Sequence, residues 1–125
     1  MLSAMTTQEI AEELVALCSQ GKFKDAITNL YADNIVSVEA AAPPGGTRET
    51  NGLQGVIGKA DWWQANHDVH SASVGLPISA GAFFAVTFKL DVTFKPTGAR
   101  HTMEEIAVYQ TAGGKIVREE FFYAT

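Results

Sequence analysis

Phe83-Phe84-Ala85-Val86-Thr87-Phe88-Lys89-Leu90-Asp91-Val92-Thr93-Phe94-Lys95 alternates almost without a break between apolar and polar side chains. Phe84, Val86, Phe88, Leu90, Val92 and Phe94 share one parity, and Thr87, Lys89, Asp91, Thr93 and Lys95 share the other. A period of two held this long marks a strand with one buried and one solvated face. Pro96-Thr97-Gly98 predicts a turn, 100–111 a returning strand, Ala112-Gly113-Gly114 a second turn and 115–123 a closing strand. Such a meander needs cover for its apolar face, and the helical patterns all lie upstream. The chain therefore predicts a curved sheet wrapped round helices, with room for a pocket between them.

Thr6 and Glu9 have capping-box spacing, and Ile10, Leu14, Leu17 and Cys18 then mark one helical face that stops at Gly21. A second short helix buries Phe23, Ala26, Ile27 and Leu30, and Tyr31-Ala32-Asp33-Asn34 predicts a turn before a first strand over 35–39. Ala42-Pro43-Pro44-Gly45-Gly46-Thr47 reads as an irregular loop placed to rim a pocket. A third helix over 53–66 puts Val56, Ala60, Trp63 and His67 on one face, although Gly55 and Gly58 each cost it about 1 kcal/mol relative to alanine. A further strand covers 68–78. Neither repeat nor linker interrupts this order, which predicts one α+β domain over 1–125 with a poorly ordered start at residues 1–5.

Composition narrows the function classes. A hydrophobic share of 46% against 18% charged residues excludes a disordered chain. A net charge of −5, with basic residues scattered singly, argues against a nucleic-acid partner. No apolar run reaches the roughly 18 residues of a membrane span, and no basic-then-apolar leader opens the chain, so no membrane association is expected. The single cysteine, Cys18, sits in a helical stripe and reads as a buried, inert thiol. Without an intrachain disulfide the expected compartment is the cytoplasm.

The order of elements, the Leu30-Tyr31-Ala32-Asp33-Asn34 segment and the closing Gly114-Lys115-Ile116-Val117 turn and strand resemble the NTF2-like superfamily, and within it the SnoaL-like proteins. The resemblance spans residues 8–124. It implies a cone-shaped fold, a six-stranded sheet round three helices, in a family holding ketosteroid isomerases, polyketide cyclases, dehydratases and pure binding domains. Compared residue by residue with the isomerases, the general-base position falls on Glu39, while the two oxyanion donors fall on Val15 and Ile106. Neither side chain donates a hydrogen bond, so isomerase activity on steroids is not implied.

Glu104-Glu105 and Glu119-Glu120 each send one carboxylate to either face of a strand. The isomerase comparison favours Glu104 and Glu119 inward, beside Ile106, Phe121 and Tyr123. Two inward carboxylates close together raise one pKa, the condition for acid–base work at neutral pH. Candidate catalytic residues are thus Glu39, Glu104, Glu119 and His67, the last a continuation of the Val56–Trp63 stripe. Tyr31, Trp63, Phe88, Phe121 and Tyr123 are candidates to line a ligand site, with Trp62 nearer the rim. His67-Asp68-Val69-His70 leaves a helix for a strand, so its rings do not share a helical face; no metal and no cofactor is called for. The expected ligand is a small, mostly apolar organic molecule in a cavity of a few hundred Å³. Proton abstraction, isomerisation, cyclisation or hydration would follow; the alternative is a non-catalytic binding or scaffold domain. The outer sheet face, read as Lys89, Asp91, Thr93, Glu105, Tyr109, Arg118, Glu120 and Phe122, suits a two-fold homodimer, which the resemblance also implies.

Overall fold

The computed structural model describes residues 4–125. Its elements run α1 (Thr7–Ser19), α2 (Phe23–Leu30), β1 (Tyr31–Val38), β2 (Glu49–Asn51), α3 (Leu53–Asn66), β3 (His67–Val74), β4 (Ile78–Ala80), β5 (Phe83–Phe94), β6 (Ala99–Ala112) and β7 (Lys115–Phe122). The strands form one sheet in the order β2-β1-β7-β6-β5-β3, with β4 paired to β5. Every pairing is antiparallel except β1 with β7. Three helices against a mostly antiparallel sheet make the fold α+β.

Local chemistry accounts for most of these elements. The capping box forms as the spacing predicts: Glu9 N–H donates to Thr6 Oγ1 at 3.1 Å, and Thr6 N–H to Glu9 Oε1 at 2.9 Å. Ile10, Ala11, Leu14 and Cys18 of α1 meet Ala26, Ile27 and Leu30 of α2 over the inner face of the sheet. The alternation in β5 becomes burial, with Phe84, Val86, Phe88, Leu90 and Val92 all facing the helices. The expectation of a poorly ordered start covers residues 1–5, of which 1–3 lie outside the described residues; Ala4 packs over the turn at Gly114.

Several boundaries differ from the sequence reading. Tyr31–Asn34 is strand, not turn, because pairing with β7 starts at Tyr31 opposite Ile116 and outweighs the turn chemistry of Asp33-Asn34. The strand expected over 68–78 stops at Val74, where Leu76-Pro77 interrupts pairing, and resumes as β4. β2 and β4, three residues each, are too short to show alternation. The sheet therefore has seven strands where the resemblance implied six.

The decisive difference is one of register. Phe94 pairs with Ala99, so the β5–β6 connection is Lys95-Pro96-Thr97-Gly98, four residues rather than the three of the expected turn. An even loop places odd-numbered β6 residues beside even-numbered β5 residues: Tyr109 opposite Phe84, Ala107 opposite Val86 and Glu105 opposite Phe88. Glu105 and Tyr109 therefore face the helices. Glu104 and Ile106, expected inside, lie on the convex face, where Ile106 is 49% exposed and Glu104 pairs with Lys89 at 3.7 Å. A one-residue slip moves every side chain to the other face. In β7 a register shift between Gln110 and Thr111 inserts one extra residue, so Ile116 and Glu119 both point inward despite opposite parity.

Candidate functional site

Helices and concave sheet enclose an open cleft of about 1360 Å³. That is larger than the few hundred Å³ expected, and its floor is more polar. Trp63, Phe88, Leu90, Met103, Phe121 and Tyr123 line its walls.

The floor is assembled by cross-strand registry. Ser37 on β1 stands opposite Glu119 on β7, which stands opposite Tyr109 on β6, which faces Phe84 on β5. Ser37 Oγ donates to Glu119 Oε1 at 2.8 Å, and the Tyr31 hydroxyl donates to Glu119 Oε2. Lys59 enters from α3, its ammonium donating to Ser37 Oγ at 2.7 Å and to Glu39 Oε1 at 2.9 Å. Tyr123 OH donates to Glu39 Oε2 at 3.0 Å, completing a chain from the end of β7 to the core: Tyr123, Glu39, Lys59, Ser37, Glu119, Tyr31. The Lys59 ammonium also lies 5.6 Å from the centroid of the Phe121 ring.

Burial sets the electrostatics. Glu119 is 2% exposed, and desolvation raises its pKa against the opposing pull of Tyr31, Lys59 and Ser37. Tyr31 and Tyr109 are pushed well above the usual phenol value, first by burial and then by the Glu119 charge. Burial, with a contribution from Glu119, lifts the Cys18 thiol to about 12, so it is not a nucleophile at neutral pH. Glu105 is different in kind. No hydrogen bond holds it among the described residues, and burial, then Glu39 and Glu119, raise it to about 7 while Lys59 opposes them.

Of the candidates taken from the sequence, the structure brings Glu39 and Glu119 into one network with Tyr31 and Tyr123. Trp63, Phe88 and Phe121 stand on the cleft wall beside them. Glu104 is excluded from the cleft by the register of β6. His67 reaches the cleft at its β3 end, stacked on Trp63 at 4.2 Å and donating from Nδ1 to the Trp63 carbonyl at 2.8 Å; no hydrogen bond joins it to the carboxyl network. His70 contacts Thr93 Oγ1 at 2.7 Å on the exposed side of the sheet. Among the described residues no group of three or more His, Cys, Asp or Glu side chains is arranged to hold a metal ion.

Sequence reasoning missed Lys59, Ser37, Glu105 and Tyr109. The first two carried a signal: Lys59 lies three residues after Val56 and four before Trp63, on the same helical stripe, and Ser37 shares the parity of Ile35 and Glu39. A lysine on a buried stripe is rare enough to be informative.

The SnoaL-like domain profile matches residues 5–123. The chain belongs to the SnoaL-like family. Its fold is shared with a Mesorhizobium loti protein provisionally named a SnoaL-like polyketide cyclase, at 42% identity and a TM-score of 0.90 over 95% of this chain and 100% of that one. An NTF2-like protein of Burkholderia thailandensis (19% identity, TM-score 0.81, 96% and 92% coverage) has the same fold. So does a Bacillus subtilis protein provisionally named an isomerase (22% identity, TM-score 0.76, 96% and 90% coverage). A search of curated proteins returned no match. No helix among the described residues is long and apolar enough to cross a membrane.

Proposed function

We propose that this SnoaL-like protein binds a small, mostly apolar organic molecule in its cone and exchanges a proton with it through Glu105. One observation carries the reading. Of the three glutamates of the sheet in the cleft, Glu105 is the one without a hydrogen-bond partner among the described residues, and burial, then Glu39 and Glu119, lift it to about 7. A carboxyl poised near the working pH both takes and returns a proton efficiently. The reaction class is proton abstraction beside a carbonyl, leading to isomerisation, cyclisation or hydration, with the rings of Trp63, Phe88, Phe121 and Tyr123 lining the ligand site. The 42% identical Mesorhizobium loti protein, provisionally named a polyketide cyclase, supports a carbonyl-bearing ligand.

Deuterium exchange tests this. A panel of carbonyl-bearing aromatics and steroid-like ketones should quench tryptophan fluorescence saturably and exchange α-protons in D₂O faster with protein than without. Glu105→Gln should retain binding and lose about 10²-fold or more of the exchange. Absence of saturable quenching would remove the ligand-binding reading. Binding without exchange would favour the non-catalytic alternative, which has its own support: Glu39 and Glu119 already spend their acceptor oxygens on Lys59, Tyr123, Ser37 and Tyr31.

The same proposal includes a homodimer through the convex sheet face. Its members are corrected by the register: Glu105 and Tyr109 leave it, and Ile106 joins Phe122 as a cross-strand apolar pair, 49% and 48% exposed. Arg118 and Glu120 flank the pair with an ion pair of 3.2 Å. Sedimentation at micromolar concentration should give twice the 13.4 kDa chain mass, and Arg118→Glu should weaken association. A species of single-chain mass alone would end this part of the proposal.

A further inference from the structure

Three glutamates of the sheet line the cleft, and among the described residues Lys59 is the lysine that hydrogen-bonds into their network. Glu39 comes from the end of β1, Glu105 from β6 and Glu119 from β7; Lys59 comes from α3 on the opposite side. The ammonium touches the carboxyls unequally. It bonds Glu39 directly at 2.9 Å and reaches Glu119 only through Ser37, in steps of 2.7 and 2.8 Å; it makes no hydrogen bond to Glu105. Donors from the tyrosines complete the division, Tyr123 on the second oxygen of Glu39 and Tyr31 on the second oxygen of Glu119. Both oxygens of two carboxyls are thus occupied, and the third carboxyl is left over.

We propose that Lys59 is the positioning residue of the site: by anchoring Glu39 and Ser37 it ties down two of the three carboxyls and leaves Glu105 as the one that trades a proton with a ligand. This rests on the reading of Glu105 given above and adds the residue that singles it out. The charged and titratable groups facing Glu105 are Glu39, Lys59, Glu119, Tyr109 and Tyr123; its neighbour across β5 is the uncharged Phe88. Lys24 and Lys95, at the mouth, are paired with Asp61 at 3.1 Å and Asp68 at 3.6 Å, and Lys89 lies on the convex face with Glu104. Lys22 also lines the cleft, but among the described residues no cation other than Lys59 hydrogen-bonds the side chain of Glu39, Glu105 or Glu119. Removing Lys59 leaves the three carboxyls with no hydrogen-bonded cation, and like charges in a desolvated site cannot all stay ionised. Glu105 would then face the Glu39 and Glu119 charges without the ammonium that opposes them, which disfavours its ionised form.

The test is the titration of Glu105, followed by the carboxyl ¹³C shift in protein labelled at glutamate and assigned by the resonance lost in Glu105→Gln. Lys59→Gln keeps hydrogen-bonding capacity toward Glu39 and Ser37 but removes the charge. It should move the Glu105 midpoint upward by about one pH unit; Lys59→Arg, which restores the charge, should return it toward the native value. An unmoved midpoint in a Lys59→Gln protein of native circular dichroism would overturn the proposal and reduce Lys59 to a structural ion pair. Should Lys59→Gln fail to fold, Glu39→Gln decides. That variant removes one repelling charge and releases Lys59 toward Glu105, so the midpoint must fall by a similar amount, and an unchanged or higher midpoint counts against the proposal. A native Glu105 midpoint near the ordinary carboxylate value would defeat the acid–base reading of the protein, whereas the displacements between variants judge Lys59 alone.

Discussion

Phe84→Ala should cost about 3–5 kcal/mol of folding free energy, a large part of the roughly 5–15 kcal/mol that holds a domain of this size. Phe84 is 2% exposed, and its ring stacks on Tyr109 with centroids 4.7 Å apart. Truncation removes the transfer free energy of the ring and leaves a cavity between α1 and the sheet, where Ile10, Leu14 and Val86 are already fully packed. The damage should also reach the site, because Tyr109 and Glu119 occupy the same cross-strand row as Phe84. Urea unfolding should show a lower midpoint with an unchanged slope. Phe83→Ala is the control: its side chain is 50% exposed on the other face, and the loss there should stay near or below about 1 kcal/mol. Equal losses at the two positions would contradict the assigned faces of β5.

Stability should fall as pH rises from about 4.5 to about 7, and Glu105→Gln should remove most of that fall. The sign follows from linkage. Glu105 has a folded-state pKa of about 7 against an ordinary value of 4.5, so across this window the folded state binds the extra proton. Stability therefore declines with pH wherever the folded chain holds more protons than the unfolded one, and it levels off above the folded pKa. The displacement corresponds to about 3 kcal/mol. Glu119, also raised by burial, acts in the same direction and will leave a residual slope in the variant. Glu9 and Asp91, lowered by hydrogen bonds from Thr6 and Arg100, act oppositely, their stabilisation being lost as pH falls through the acid range below this window. Denaturant melts at half-unit pH steps would measure the slope. A native protein whose stability is level between pH 4.5 and 7 would show that Glu105 ionises as an ordinary surface carboxylate.

Much of the fold was legible because local patterns and tertiary packing agree. Alternation from Phe84 to Val92, the stripe Ile10-Leu14-Cys18 and the capping box at Thr6 each specify one burial pattern, and the structure adopts it. The site was legible only in part. Glu39, Glu119 and Tyr123 were identifiable as polar groups on inward or strand-end positions, and Tyr31 as a candidate hydroxyl in an expected turn, yet nothing local says that Tyr31, 88 residues away, will donate to Glu119. That contact exists because β1 and β7 pair in parallel, a long-range choice that neither strand encodes alone.

The amino-acid sequence by itself determined the class of fold, the long strand at its centre and the inward side of that strand, since a side-chain period of two and a helical period of 3.6 are properties of the backbone. Tertiary structure decided which carboxyls face the cleft. The face of β6 turns on whether Lys95 belongs to the strand or to the connection, and the face of Glu119 turns on one extra residue near the close of the β6–β7 hairpin. Both are settled by the energy of whole-sheet pairing, in which one residue of slip exchanges the buried and exposed sets, so that Glu105 enters the cleft and Glu104 leaves it.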